Sequence, residues 1–326
     1  MTENIDNAQN AQNSDSTQSP DSTEDADNPE DLIPDPVVHI GDVQELAADL
    51  VVIPNRGVQL VPNIGVIGGQ HSVLVVETGM GPDNADRVLR FAADYANGRK
   101  LYLTTTHFHP EHAFGAKTFA GEATFLVNRA QAEDLRTKGP GYLEMFRGLG
   151  PAIARHLEGA ELAEPDLVYD QSYDLDLGGR TVRLRATGRA HSKGDQVVEV
   201  LDADVLFTGD LVESGQFAIF PWFPPHDTDV SGTHWIAVMQ QLAALAPRVV
   251  VPGHGAVGGP QLLADVRDYL ALLRDETWIR RDSAVSEETI VEEVRALMIE
   301  RHPDWVGQEW IEKGVGCLCS EHAHTA

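Results

Sequence analysis

The sequence predicts an α+β fold in which β-sheets are covered on their outer faces by helices. Two observations predict it. Short apolar runs separated by turn residues fill two stretches of the chain, with a helical stretch between them, and longer helical segments close the C-terminal part. The length of 326 residues suffices for one large domain or two small ones, and no solenoid period repeats along it. The longest apolar runs, such as Leu50–Ile53, are strand-sized and far too short to cross a membrane as a helix.

Residues 1–36 contain ten acids, no Lys or Arg, and many Asn, Ser and Gln without periodicity. Such a segment offers too little apolar surface to offset its ordering entropy, so a disordered acidic tail is expected there. A single domain is expected over residues 37–326. It opens with strands at 37–40, 50–53, 65–67 and 73–76, divided by Gly, Pro and Asn turns. Residues 82–97 form an amphipathic helix, because Val88, Leu89, Phe91, Ala92 and Tyr95 recur at helical spacing. An apolar strand at 100–106 follows, then a short helix from about Pro110 and a strand at 124–127.

Residues 129–160 read as a helical insertion broken at Gly139-Pro140-Gly141 and again near Gly150-Pro151. Strands return at 172–177, 181–187, 196–201 and 205–208, the first two joined by a Gly178-Gly179 hairpin turn. Helices at 231–246 and 260–282 flank a strand at 248–251, and a last helix starts after the N-cap Ser286 and runs to about Arg301.

The formal charge is −27. Removing the ten acids of the tail leaves −17 for the rest, so the domain is acidic too. Such a surface repels phosphate backbones and anionic lipid, which argues against nucleic-acid and membrane partners and leaves a small-molecule substrate. The oligomeric state is not legible. The only two cysteines, Cys317 and Cys319, build no disulfide framework, and the N-terminus has neither a basic start nor an apolar stretch. A cytoplasmic location is the expectation. Cys317, Cys319, His322 and His324 resemble a small metal site in composition, yet a CxC pair in a frayed tail lacks the spacing of zinc sites.

The chemistry concentrates in TTTHFHPEHAFG, residues 104–115. His107 and His109 stand two apart at the end of a strand, on one side if the chain stays extended. Pro110 suits a first helical turn, so Glu111 and His112 lie on that turn and point back to the same spot. Four donors aimed at one point are the signature of a metal site, since neutral imidazole is a preferred ligand of borderline-soft metals. Three later segments place ligand-type residues among glycines after apolar runs: TGRAHSKGD with His191, LFTGDLV with Asp210, and VVVPGHG with His254.

In this order, the residues resemble the metallo-β-lactamase superfamily, whose HxHxDH motif is followed by a distant His, an Asp and a final His. The resemblance covers roughly residues 37–260, including VLVVETG at 73–79. It implies the metallo-β-lactamase fold, an αββα sandwich of two mixed β-sheets flanked by helices, with the site at one edge between the sheets. It implies that His107, His109 and His191 bind one metal, that Glu111, His112 and His254 bind a second, and that Asp210 bridges both. Zinc (Zn2+), two per chain, is the implied cofactor, with iron or manganese as alternatives. A water held between the ions would become the nucleophile, which gives Glu111 and Asp210 catalytic as well as ligand roles. Two residues depart from the family pattern. Glu111 stands where the family has an aspartate, one methylene shorter, and Glu77 replaces the usual aspartate before Thr-Gly.

A bridging aspartate is similar to glyoxalase II and lactonases rather than to true β-lactamases. The resemblance therefore implies hydrolysis of an ester, lactone or thioester, with weak β-lactam turnover as a side activity. The competing classes are a mononuclear iron oxidoreductase of the persulfide dioxygenase kind and a non-catalytic metal-binding module. Phe217, Phe220, Trp222 and Phe223, with Tyr142, Met145 and Phe146 from the insertion, are expected to wall an apolar pocket. His226 is a candidate general acid, and His234 is expected to be structural.

Overall fold

A computed structural model describes residues 34–325. The first 33 residues of the predicted acidic tail lie outside them. Seven strands run in sequence order through one sheet: β1 (Gln44–Ala47), β2 (Leu50–Ile53), β3 (Ile64–Gly68), β4 (Ser72–Val76), β5 (Lys100–Thr104), β6 (Ala123–Asn128) and β7 (Leu167–Tyr169). The first four form an antiparallel meander, and β4 to β7 pair in parallel. A second sheet has the order β12-β11-β10-β9-β8, from β8 (Ser172–Asp176), β9 (Thr181–Ala186), β10 (Gln196–Val200), β11 (Val205–Glu213) and β12 (Val249–His254). Only β11 and β12 pair in parallel there.

The two sheets face each other through an apolar layer that includes Leu50, Val52, Leu74 and Val76 from the first and Leu184, Val198, Phe207 and Val251 from the second. Helix α1 (Gly81–Ala96) covers the outer face of the first sheet, where Val88 and Ala92 join Val66, Val73 and Val75. Helices α6 (Gly232–Ala244) and α7 (Gln261–Asp282) cover the second, with Trp235, Met239 and Leu270 beside Val197, Leu206 and Val250. Strands β3, β4, β10 and β11 are buried on both faces, which is why they read as continuous apolar runs. The αββα layering expected from the sequence is the observed one.

The remaining helices are α2 (Pro110–Ala113), the insertion helices α3 (Arg129–Thr137), α4 (Gly139–Arg147) and α5 (Pro151–His156), and the C-terminal α8 (Glu287–Arg301) and α9 (Glu309–Thr325). Ser286 caps α8 as expected, accepting a hydrogen bond from the Thr289 amide.

Three expectations need correction. Residues 37–40 are not a strand, because the Val38 amide donates to Asn84 Oδ1 on α1 at 2.8 Å instead of to a neighbouring strand. The chain turns through Ile40–Asp42, and pairing begins at β1. The three-residue β7 was not anticipated. The C-terminus is not a frayed tail: α9 packs on α7 and buries Cys317 and Cys319 in the core. Gly314 and Gly316 hide that helix in the sequence, since glycine weakens the helical signal. Gly314 is needed for close approach, because a side-chain carbon there would press into Leu273 and Phe220.

Candidate metal centre

The site forms where the C-terminal ends of β5, β11 and β12 converge. After β5 the chain continues through Thr105 and Thr106, and β10 holds that stretch: the Gln196 amide donates to the Thr106 carbonyl at 2.9 Å, and Gln196 Nε2 to the Thr105 carbonyl at 2.8 Å. His107 and His109 follow, and His109 caps the single turn of α2 that carries Glu111 and His112. Thr78 Oγ1 donates to the His112 carbonyl at 2.8 Å and fixes that turn. Asp210 projects from within β11 between Gly209, where the left-handed backbone (φ 53°) lets Thr106 come close, and Gly253 of β12, where any side-chain carbon would collide with the Asp210 carboxylate. Asn63, from the loop before β3, donates to the Pro252 and Gly255 carbonyls, both at 2.9 Å, and so ties the His254 segment to the first sheet.

All seven predicted residues are buried and come together. They divide into two groups whose donor atoms each lie within 4.8 Å of one another: His107, His109 and His191, and Glu111, His112, Asp210 and His254. The two Asp210 oxygens face different ways. Oδ2 lies 3.8 Å from His107 Nε2 and 3.6 Å from His191 Nε2, while Oδ1 lies 3.2 Å from His112 Nε2 and 3.6 Å from His254 Nε2. The longer Glu111 side chain turns inward and joins the second group.

Hydrogen bonds behind the ligand atoms set their orientation. His191 Nδ1 donates to the Ile219 carbonyl at 2.9 Å, which turns Nε2 into the site, where it lies 2.9 Å from His109 Nδ1. Thr106 Oγ1 donates to Glu77 Oε1 at 2.6 Å and lies 3.1 Å from His107 Nδ1, so it can accept from that nitrogen and turn Nε2 inward. Glu77 Oε1 also lies 3.3 Å from His112 Nδ1. The glutamate found in place of the usual aspartate thus holds Thr106 behind His107 and sets its carboxylate beside His112, from a left-handed backbone position (φ 74°).

Burial opposes charge on His107 and His109 and, with the neighbouring imidazoles, holds both well below the usual histidine range. His191 is also lowered by burial, and His254 falls to about 4 for the same reason. Neutral imidazoles are what a metal requires. At His112, burial is outweighed by Asp210 and Glu77, which push it well above its ordinary value. Asp210 is likewise held low against burial by His112, His254 and His107. Burial raises Glu111 to about 7. The cluster thus concentrates buried carboxylates around a place that favours positive charge.

The residues fit divalent ions by a further observation. His107 Nε2, Glu111 Oε2, His112 Nε2, Asp210 Oδ1 and His254 Nε2 are buried without hydrogen-bond partners. Unsatisfied buried polar atoms are costly, and an ion ligated by such donors removes that cost.

A cavity of about 660 Å³ opens onto the centre, with His109, Glu111, Asp210 and His254 at its base. Tyr142, Met145 and Phe146 of α4 and Phe223 line it as expected. Phe217 and Phe220 do not; both are fully buried in the core under α6 and α7, and half-buried Trp222 packs against that core. The apolar loop at 58–60 and the 306–310 segment, neither foreseen, complete the wall. His226 is exposed and does not line the cavity, while His234 Nε2 lies 3.0 Å from the Thr187 carbonyl, a structural contact.

Sequence reasoning also missed Glu213, which ends β11 opposite His254 and is buried with both oxygens unpartnered. Burial, Asp210 and Glu111 push it well above the usual carboxylate range. An acid three residues after Asp210, inside an otherwise apolar run, was the available signal. Asp227 was missed as well. It accepts from Tyr142 Oη and from Lys138 Nζ, both at 2.9 Å, and fastens the insertion to the loop after β11.

Comparison with known proteins agrees with this arrangement. The family model of the metallo-beta-lactamase superfamily matches residues 57–254, a range that includes all seven residues and ends before α7. The acyl-coenzyme A thioesterase MBLAC2 of Bos taurus is 26% identical over 231 residues, covering 64% of this chain and 78% of that protein. The linear primary-alkylsulfatase of Pseudomonas sp. is 24% identical over 271 residues, covering 71% of this chain and 49% of that protein, so the chain spans about half its length. Among solved structures, the metallo-beta-lactamase from Pontibacter korlensis superposes with a TM-score of 0.55 at 16% identity, over 71% of this chain and 98% of that one. DIM-1 metallo-beta-lactamase gives 0.55 and 16%, over 71% and 96%. The structures share the fold, and the sequence match covers more than half the chain: this protein belongs to the metallo-β-lactamase superfamily and is an enzyme of its hydrolase type, with groups suited to divalent metal.

Proposed function

We propose that the protein hydrolyses an ester, lactone or thioester of a small molecule at a centre of two divalent ions, zinc foremost. His107, His109 and His191 would hold one ion, Glu111, His112 and His254 the other, and Asp210 would join them. The observation that carries this reading is the division of the Asp210 carboxylate, one oxygen toward each group of imidazoles. The ions, when bound, supply Lewis acidity and an acidified water. The chain's own part is to hold the ligand atoms in place and exclude bulk water. Glu77 and Thr106 keep the His107 and His112 rings turned inward, and the Ile219 carbonyl does the same for His191. The apolar wall keeps the reacting bond in a water-poor cavity, where electrostatic effects on a developing oxyanion are strong. The thioesterase relative supports acyl-group chemistry, and the alkylsulfatase supports an aliphatic substrate.

The one-iron oxidoreductase reading would be favoured by a second group compromised at Glu111. Glu111 gathered with His112 and His254 supports the two-ion hydrolase instead. The test is a panel of esters, lactones, thioesters and a β-lactam, assayed on protein of known metal content. Turnover that falls to background in His109→Ala is expected; turnover that persists there at full metal occupancy would remove the proposal.

A further inference from the structure

We infer that the substrate of this centre is a neutral molecule with an aliphatic acyl chain, and that anionic carriers are rejected; the inference rests on the hydrolase reading. Three observations carry it. First, the cavity wall is apolar and comes from parts of the chain that grip one space from two sides. Helix α4 supplies Met145 and Phe146, the turn after it supplies Leu149, and the C-terminal segment supplies Val306 and Trp310. Of the seven large hydrophobic side chains exposed among the described residues, three (Met145, Leu149 and Val306) stand at this one mouth. Clustered exposed apolar side chains beside a cavity mark a surface made to receive apolar matter.

Second, both sides are held in place. Tyr142 and Lys138 anchor α4 to Asp227, and the Val306 carbonyl accepts from the Phe217 amide at 2.9 Å while the Val306 amide donates to the Gly215 carbonyl at 3.1 Å. The Val306–Trp310 side lies outside residues 57–254, the range that the family model matches.

Third, no Lys or Arg lines the cavity, and Glu309 is the one acid in its lining that belongs to neither metal-binding group. Lys138 is already occupied by Asp134, Asp227 and Asp229, at 3.4, 2.9 and 2.9 Å. A phosphate- or sulfate-bearing group lying outside the centre would find Glu309 and no Lys or Arg in the lining, one cation, Lys313, 5.8 Å over the Phe223 ring, and an acidic domain beyond. The reaction is plain hydrolysis: water adds to the acyl carbon, the bond to the alcohol oxygen or thiol sulfur breaks, and that atom leaves with a proton.

Two matched thioesters test the charge directly, S-octanoyl-N-acetylcysteamine and octanoyl-coenzyme A, with p-nitrophenyl acetate and octanoate testing the chain. The neutral thioester is expected to exceed the coenzyme A ester in kcat/KM by about tenfold or more, since like-charge repulsion acts on both encounter and binding. The octanoate is expected to exceed the acetate. Binding of the uncleavable ketone 2-decanone, measured calorimetrically, is the readout independent of turnover; Met145→Glu at the exposed rim and Trp310→Ala should each weaken it several-fold. Equal rates on the two thioesters would overturn the exclusion of anions. Ketone binding that neither variant changes would overturn the apolar wall. Ketone binding weakened by both variants, with no ester or thioester cleaved, would uphold the pocket and refute the hydrolase reading alone.

Discussion

The ring of Tyr142 lies stacked on that of His109, centroids 5.1 Å apart and planes 25° from parallel, while its hydroxyl donates to Asp227 at 2.9 Å. One side chain thus links the helical insertion, a candidate ligand and the loop after β11. Tyr142→Phe keeps the stack but leaves a buried Asp227 oxygen without that donor, at a cost of about 1–2 kcal/mol. Tyr142→Ala also releases the His109 ring, and metal affinity should fall by about tenfold, the low end for lost support of a ligand. Thermal unfolding and competitive metal titration of the two variants separate the effects.

Glu77→Gln should damage the centre without touching a ligand. Glu77 accepts from Thr106 Oγ1 and faces His112 Nδ1, and an amide cannot serve both as an acceptor of full charge. Metal affinity is expected to fall by about 10–100-fold with the fold retained, as measured by chelator competition.

Asp134 supplies a pH signature away from the ligands. Burial raises its carboxyl to about 6 despite Lys138. An acid whose pKa is higher folded than unfolded favours the folded state while protonated, so this contribution is complete below its ordinary value near 3.8 and is lost as pH rises to about 6. Asp134→Asn removes that loss. Relative to the parent, the variant should gain about 1–2 kcal/mol between pH 4 and 7, a discounted share of a two-unit shift. Denaturant unfolding at the two pH values measures it.

The thiols should be silent in the folded protein. Burial raises Cys317 to about 12 and Cys319 to about 11, and both are packed in α9 against the core. A disulfide reagent at pH 8 is expected to label neither until denaturant is added, then both. Rapid labelling of the native protein would contradict the packing of α9.

The candidate ligands were legible because metal chemistry restricts residue types: three histidines and an acid within six positions, followed by His191, Asp210 and His254 after strands, leave few other readings. The strands were legible where burial on both faces makes unbroken apolar runs, as in β4 and β11. What was not legible depended on tertiary contact. Residues 37–40 resemble a strand but the Val38 amide goes to Asn84, and α9 is disguised by two glycines, of which Gly314 is needed for contact with Leu273 and Phe220. The aromatic run after Asp210 announces an apolar surface, yet nothing local says that Phe217 and Phe220 face the core while Phe223 faces the cavity. Trp310 and Val306 lie about a hundred residues from Asp210 in the chain, on the order of a loop-closure distance that no local pattern encodes.

The most direct test of the centre is the number and identity of ions bound to the full chain purified without added metal. Two divalent ions per chain, zinc foremost, are expected, one for each group facing an oxygen of Asp210. A single ion per chain, iron or otherwise, that does not rise to two under excess zinc or manganese would contradict it.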